Sequence, residues 1–371
     1  MKIHECRACR SQTGDVVLDL GYQPACDFFP PYDDLGPDPV YPLQMWLCSQ
    51  CGLAQLLDDP TVPDEPRGTE PAALVAQAND AVARVAAAGL LPAGAWVAEY
   101  GSPHGGSWLD LLADRGLKPV DGSTQADVIL DCFGMMHAPD QADALAERAA
   151  RLAPGGVLLL QYHSLTAIVR QGQWNALRHG HYAYYSATAL STMLATVGFS
   201  PRTAWHFDLY GGTILLAARR DGDDPGAPDE TVQALLNAEA STGVSDPIAL
   251  SELQQVVQTK AAALHDWLAR CAVAGTSVLG YGAASRAVAL LRKAEVDLSL
   301  LAAVADASPG KQGRRMPGSM IPVISPAELT ARHPGEVAVF VSDLIAEVRA
   351  AYPEIEASGG HWVDADALGS A

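Results

Sequence analysis

Hydrophobic and polar positions alternate in different ways along the chain. Trp96–Tyr100, Val128–Cys132 and Gly156–Gln161 are short, nearly continuous apolar runs, the pattern of strands buried on both faces. Stretches with helical spacing separate them. Ser107–Arg115 opens on a serine, Asp140–Leu152 is amphipathic, and Ala187–Val197 precedes a closing strand at Gly212–Ala218. An Ala- and Val-rich helix is expected at Ala72–Gly89. This alternation predicts a doubly wound parallel sheet. After an Asp/Gly/Pro-rich boundary at Asp221–Asp229, one long helix is expected over Ala249–Ala272. A strand at Ser277–Gly280, a βαβ unit beginning over Gly282–Gly313 and a strand at Val337–Val341 follow, which reads as a second Rossmann-like unit and suggests duplication. Residues 1 to about 60 read as short strands and turns, and the proline- and acid-rich segment 58–71 as a linker or surface loop. The expected domains are 1–71, 72–220 and 221–371.

Length and charge narrow this picture. At 371 residues, 49% of them apolar, the chain can bury two or three cores. A net charge of −19 and a pI near 4.7 argue against nonspecific nucleic-acid binding, which needs clustered cations. Met1–Cys9 is short and polar, unlike a signal peptide, and no apolar run reaches the roughly 18 residues of a membrane span. The expected setting is the cytoplasm, without nucleic-acid or membrane partners.

Four of the seven cysteines form two CxxC pairs, Cys6/Cys9 and Cys48/Cys51. Two such turns complete a tetrahedron of thiolates, so one structural Zn2+ is expected in a lobe too small for a core of its own. In the middle of the chain, Glu99-Tyr-Gly101-Ser-Pro-His104-Gly105-Gly106 follows the first central strand. Glycines there let backbone amides approach a ligand at a helix start. Near the end, the turn Gly280-Tyr281-Gly282-Ala-Ala-Ser285-Arg286 is followed by Asp306, Lys311, Arg314 and Arg315. A glycine turn beside cations suits a diphosphate.

These motifs, with VLDLGYQPACDFF, YPLQMWLCSQCGLAQL, ADVILDCFGMMHAPD, QWNALRHGHYAYYSATAL and VADASPGKQGRRMPGSMIPVISPAEL, resemble the three-domain sugar C-methyltransferases along nearly the whole chain. The resemblance implies an α/β protein with a class I methyltransferase-like Rossmann domain, shortened in this chain, a second Rossmann-like domain and a zinc module. It implies methyl transfer from S-adenosyl-L-methionine to a nucleotide-linked keto-deoxysugar, as in antibiotic biosynthesis. The family's Tyr-His-Glu-His signature is here Arg178-His179-Gly180-His181. His181 takes the position of the base that removes the sugar's C3 proton, His137 matches a further active-site histidine, and Arg178 stands at the first signature position. Glu99, Gly101, His104, Gly105 and Asp121 are the expected cofactor residues. Tyr281, Arg286, Asp306, Lys311 and Arg314 are the expected substrate residues, with Asp306 at the ribose-reading position. His179 is expected to be structural, and Tyr182, Tyr184 and Tyr185 to pack.

Two departures from the family pattern shape the functional reading. The segment after the zinc module lacks the family's tyrosine. Between Glu99 and Gln125 there is room for one helix and the segment LKPVDG, so a strand and a helix that usually hold adenine are missing. The alternatives are therefore a homologue without methyl transfer that epimerises, isomerises or eliminates through the same histidines, and a non-catalytic binding protein.

Overall fold

A computed structural model describes residues 4–61, 70–102, 106–120, 124–220 and 226–369. The N-terminal strands β1 (Gly14–Pro24), β2 (Val40–Cys48) and β3 (Ala54–Leu56) form an antiparallel sheet. Helix α1 (Ala72–Ala87) leads into β4 (Trp96–Tyr100), α2 (Leu109–Ala113), β5 (Lys118–Pro119), β6 (Ala126–Cys132), α3 (Gln141–Arg151), β7 (Leu152–His163) and α4 (Leu165–Gln171). Then come β8 (Ala183–Tyr184), α5 (Ala187–Ala195), β9 (Phe199–Phe207) and β10 (Thr213–Arg220). The strand β8 leaves the central domain and joins the N-terminal sheet, in the order β1-β2-β3-β8. The small lobe is thus closed by a strand from its neighbour.

The central sheet runs β5-β4-β6-β7-β10-β9. Its first four strands are parallel, as the apolar runs of β4, β6 and β7 predicted, with the two-residue β5 added at the edge, while β10 lies antiparallel between β7 and β9. The all-parallel expectation is corrected there, because buried strands of either direction carry the same continuous apolar pattern. Only six residues connect β5 to β6, too few for a helix and another strand, as the sequence indicated. Strand β9 tolerates Pro201 because it is an edge strand and its register slips at that point.

The C-terminal region adds α6 (Glu230–Thr242), α7 (Pro247–Ser251), α8 (Leu253–Val273), β11 (Val278–Tyr281), α9 (Ser285–Lys293), β12 (Val304–Ala305), β13 (Val323–Ile324) and α10 (Pro326–Ala331). After these come β14 (Glu336–Val339), α11 (Ile345–Ala351), α12 (Glu354–Ala357) and β15 (His361–Asp364). Its sheet, β13-β12-β11-β14-β15, is parallel throughout. The single helix expected over Ala249–Ala272 is two helices, broken at Glu252. One core cluster joins β1 and β2 to α4 and to α7, α8 and α9. Another joins the four cysteines to β6 and α3. The N-terminal lobe therefore shares its interior with both partners. No described helix is long and apolar enough to cross a membrane.

Candidate functional site

The four cysteines assemble as their spacing required. Their sulfurs all lie within 4.8 Å of one another, with Cys6 to Cys51 at 3.5 Å and Cys9 to Cys48 at 3.6 Å. A tetrahedron with Zn–S of about 2.3 Å has S···S edges of about 3.8 Å, so the set fits zinc. The hydrogen bond from Cys51 draws the Cys6 thiol down to about 5, while burial raises Cys9 to about 11. Several thiolates this close repel one another unless a cation sits between them.

The histidines come together through local geometry. At the end of β6, Asp131 Oδ1 accepts from the amides of Gly134 (2.8 Å) and Met135 (2.9 Å), and its Oδ2 accepts from Arg148 Nε at 2.6 Å. This closes the turn that carries His137. Gly134 lies so near the Tyr100 carbonyl that a Cβ would sit 2.8 Å from it, so any side chain there would push the backbone of this turn aside. His137 Nδ1 meets the Gly180 carbonyl at 3.0 Å. A carbonyl only accepts, so the ring's proton is on Nδ1. Gly180 adopts φ +80, and its amide donates to Asp59 Oδ2 at 2.6 Å. The amide of Tyr182 donates to Met136 at 2.8 Å. The result sets His137 and His181 edge to face, ring centroids 4.6 Å apart.

Three domains meet at Arg178. Its Nε donates to His181 Nε2 at 2.8 Å and its Nη2 also contacts that nitrogen. Its Nη1 bonds the Ser285 hydroxyl at the start of α9, and Asp27 of the N-terminal lobe stands 3.6 Å away. His179 is buried, bonds the Pro42 carbonyl at 3.2 Å, and has its pKa lowered by burial. Tyr184 and Tyr185 are buried, and the Tyr184 hydroxyl holds the Arg178 amide at 3.0 Å.

The other expected residues are dispersed. Glu99 accepts from Trp108 N (2.7 Å) and Ser107 Oγ (2.6 Å), tying β4 to α2. Gly101 follows β4, while His104, Gly105 and Asp121 lie outside the described residues. Arg286 faces the central domain, over the Tyr210 ring and 3.7 Å from Asp343. Lys311 is buried, donates to the Ala283 carbonyl at 3.0 Å and lies over Phe29. Arg314 donates to the Phe29 carbonyl at 2.7 Å, and Arg315 forks onto Asp38 at 2.7 Å with both nitrogens. These cations reach the N-terminal lobe. Asp306 caps its own loop through Ser308 N at 2.8 Å, and Tyr281 packs among Tyr352 and Trp362. A cavity of about 380 Å³ lined by Gly94, Asp127, Gly155 and Arg219 opens at the opposite end of the central strands, away from the histidines.

Sequence reasoning missed Asp27, Asp59, Asp131, His163 and Tyr210. Tyr210 adopts φ 55, faces Phe133 and His163, and lies under Arg286. Only the Tyr-Gly-Gly sequence at 210–212 hinted at that turn.

Three family models match consecutive stretches: the "Putative zinc binding domain" over 6–64, the methyltransferase domain over 72–204, and the C-methyltransferase C-terminal domain over 208–365. The C-methyltransferase NovU of Streptomyces niveus is 24% identical, the match covering 97% of this chain and 95% of that protein. Among solved structures, the magnesium protoporphyrin IX methyltransferase of Synechocystis PCC 6803 with bound SAH aligns at 15% identity and TM-score 0.31, covering 40% of this chain and 84% of that one. The N-methyltransferase NodS of Bradyrhizobium japonicum WM9, in complex with S-adenosyl-L-homocysteine, aligns at 11% identity and TM-score 0.31, covering 41% and 90%. Those two scores are too low to add to the fold already read from the strand order.

Proposed function

For this chain, a methyltransferase-family protein that carries the zinc-binding and C-terminal domains of C-methyltransferases, we propose transfer of a methyl group to the carbon beside a ketone in a nucleotide-linked deoxysugar. The observation that carries the reading is the His137–His181 pair at the meeting point of three domains. His181 is the general base. A neutral imidazole suits removal of a carbon-bound proton beside a carbonyl near pH 7. His137 supports the enolate oxygen. Because its Nδ1–H is held by Gly180, it does so as a donor only with a second proton at Nε2. S-adenosyl-L-methionine, when bound, supplies the methyl group as an electrophile. Glu99 and Gly101, at the carboxyl end of β4, the end of a parallel sheet where ligands bind, are its proposed contacts, together with His104, Gly105 and Asp121.

Arg286 is the proposed contact for the nucleotide side of the substrate, together with Tyr281, Asp306, Lys311 and Arg314. The proposed domain bounds are 1–71, 72–220 and 221–371. The test is incubation with S-adenosyl-L-methionine and a nucleotide-linked 4-keto deoxysugar, followed by mass spectrometry. Gain of one methyl on carbon supports the reading, and return of the unmethylated sugar contradicts it. A second reading, base chemistry without methyl transfer, is favoured by the two-residue β5 and the six-residue passage to β6. In that case the same incubation in D2O gives deuterium at the carbon and no methyl.

A further inference from the structure

We propose that Arg178 is a substrate-operated cap on the base: its guanidinium occupies the lone pair of His181, and a phosphate oxyanion of the substrate draws it away. This rests on the reading of His181 as the base.

Arginine has five N–H donors and no acceptor. Two of its nitrogens address one nitrogen, Nε2 of His181, with Nε at 2.8 Å. That nitrogen must therefore carry the lone pair, and the ring's proton sits on Nδ1. A neutral imidazole has a single lone pair, so in this arrangement neither nitrogen can receive a proton from carbon. The cap must move before the base can act.

Its position indicates what moves it. The same guanidinium touches Ser285 on the C-terminal domain and faces Asp27 on the N-terminal lobe. A substrate seated between the domains meets it there. The bond to His181 joins one ion to a neutral ring, whereas a phosphate oxyanion brings the opposite charge and matches the planar fork with two parallel bonds. A phosphate thus outcompetes a neutral imidazole nitrogen. Recognition of the anion and release of the base become one event. The carbon–hydrogen bond then breaks, the proton goes to Nε2, and the electron pair passes to the ketone oxygen as an enolate. Arg178 would make the protein select keto-sugars that bear phosphate.

The test is deuterium exchange at the carbon beside the ketone, followed by NMR in D2O, with intact protein and no added cofactor. The probes are a neutral 4-keto deoxyhexose glycoside and the same sugar as its 1-phosphate. The wild type should exchange the phosphorylated sugar at least tenfold faster at saturation, and millimolar inorganic phosphate should accelerate exchange of the neutral one. Arg178→Ala should raise the neutral-sugar rate about tenfold and abolish its response to phosphate. Arg178→Met, which keeps the bulk, should do the same in a protein with wild-type melting temperature. Equal slowing of both sugars in both variants, or no response to phosphate in the wild type, overturns the cap. His181→Ala separates the two ideas. If it exchanges at the wild-type rate, the base reading fails and the cap with it. If it is inactive while the arginine variants match the wild type, only the cap fails.

Discussion

Arg148 and Asp131 form a buried ion pair, Nε to Oδ2 at 2.6 Å, with side chains 6% and 2% exposed. The same carboxylate holds the turn of His137 through Gly134 and Met135. Arg148→Met strands this carboxylate, and breaking a buried pair usually costs about 3–5 kcal/mol. Burial already raises the Asp131 pKa, so the carboxyl can take up a proton instead, which puts the loss at the lower end. The expected outcome is a lower denaturant midpoint together with reduced turnover, measured on the same preparation. Reduced turnover with an unchanged midpoint would mean that Arg148 acts on the site directly.

His181→Ala should lower turnover by about 10²–10⁴-fold while leaving the melting temperature nearly unchanged, since the residue is half-buried and its loss opens no large cavity. Steady-state kinetics with a thermal melt check this. A near wild-type rate would place the base elsewhere, with His137 the next residue to replace.

One zinc per chain is expected by elemental analysis, bound by Cys6, Cys9, Cys48 and Cys51. Cys6→Ser should lower the melting temperature sharply and reduce the yield of folded protein, while the folded fraction keeps its turnover. The lobe meets the histidine loop where β3 pairs with β8 and Asp59 holds Gly180, so turnover is lost together with the fold of the lobe. Absence of zinc, or oxidised cysteine pairs in its place, contradicts the site.

The central strands β4, β6 and β7 were legible because strands buried on both faces are written as apolar runs, and the zinc ligands because thiolate spacing is chemistry in itself. What escaped depends on distant partners. β8 is two residues long and exists only by pairing with β3. β9 hides behind Pro201 and Arg202. Helix α6 buries only Val232 and Glu239, too little to print a stripe, and Glu239 faces inward to hold the amides of Ala187 and Thr188. His137 and His181 were legible as residues. The carboxylates that place them, Asp131 and Asp59, were not, since nothing along the chain marks an acid as inward-facing.

Stability should fall in mild acid through His163. Burial first, and then the charge of Arg286, lower its pKa from 6.5 to about 3. A histidine held neutral contributes stability that is fully present above its unfolded pKa and is lost as pH falls from about 6.5 toward 3, because the unfolded chain binds the proton more readily. By about pH 4.5 the loss is on the order of 2–3 kcal/mol. Urea denaturation between about pH 7 and pH 4.5 should show this slope in the wild type and a flatter one in His163→Gln. Equal slopes would assign the acid sensitivity to other groups.

A cofactor held at its methionine end and ribose but short of an adenine anchor binds less tightly than one held at all three. One such anchor is worth about 1–3 kcal/mol, or about ten- to a hundredfold in affinity. Calorimetric titration of the intact protein with S-adenosyl-L-homocysteine therefore tests methyl transfer most directly, without knowledge of the sugar. A saturable isotherm with a dissociation constant in the micromolar range, on the order of 10 to 100 μM, is the predicted result. No heat at millimolar ligand would contradict methyl transfer and leave the histidines to base chemistry alone.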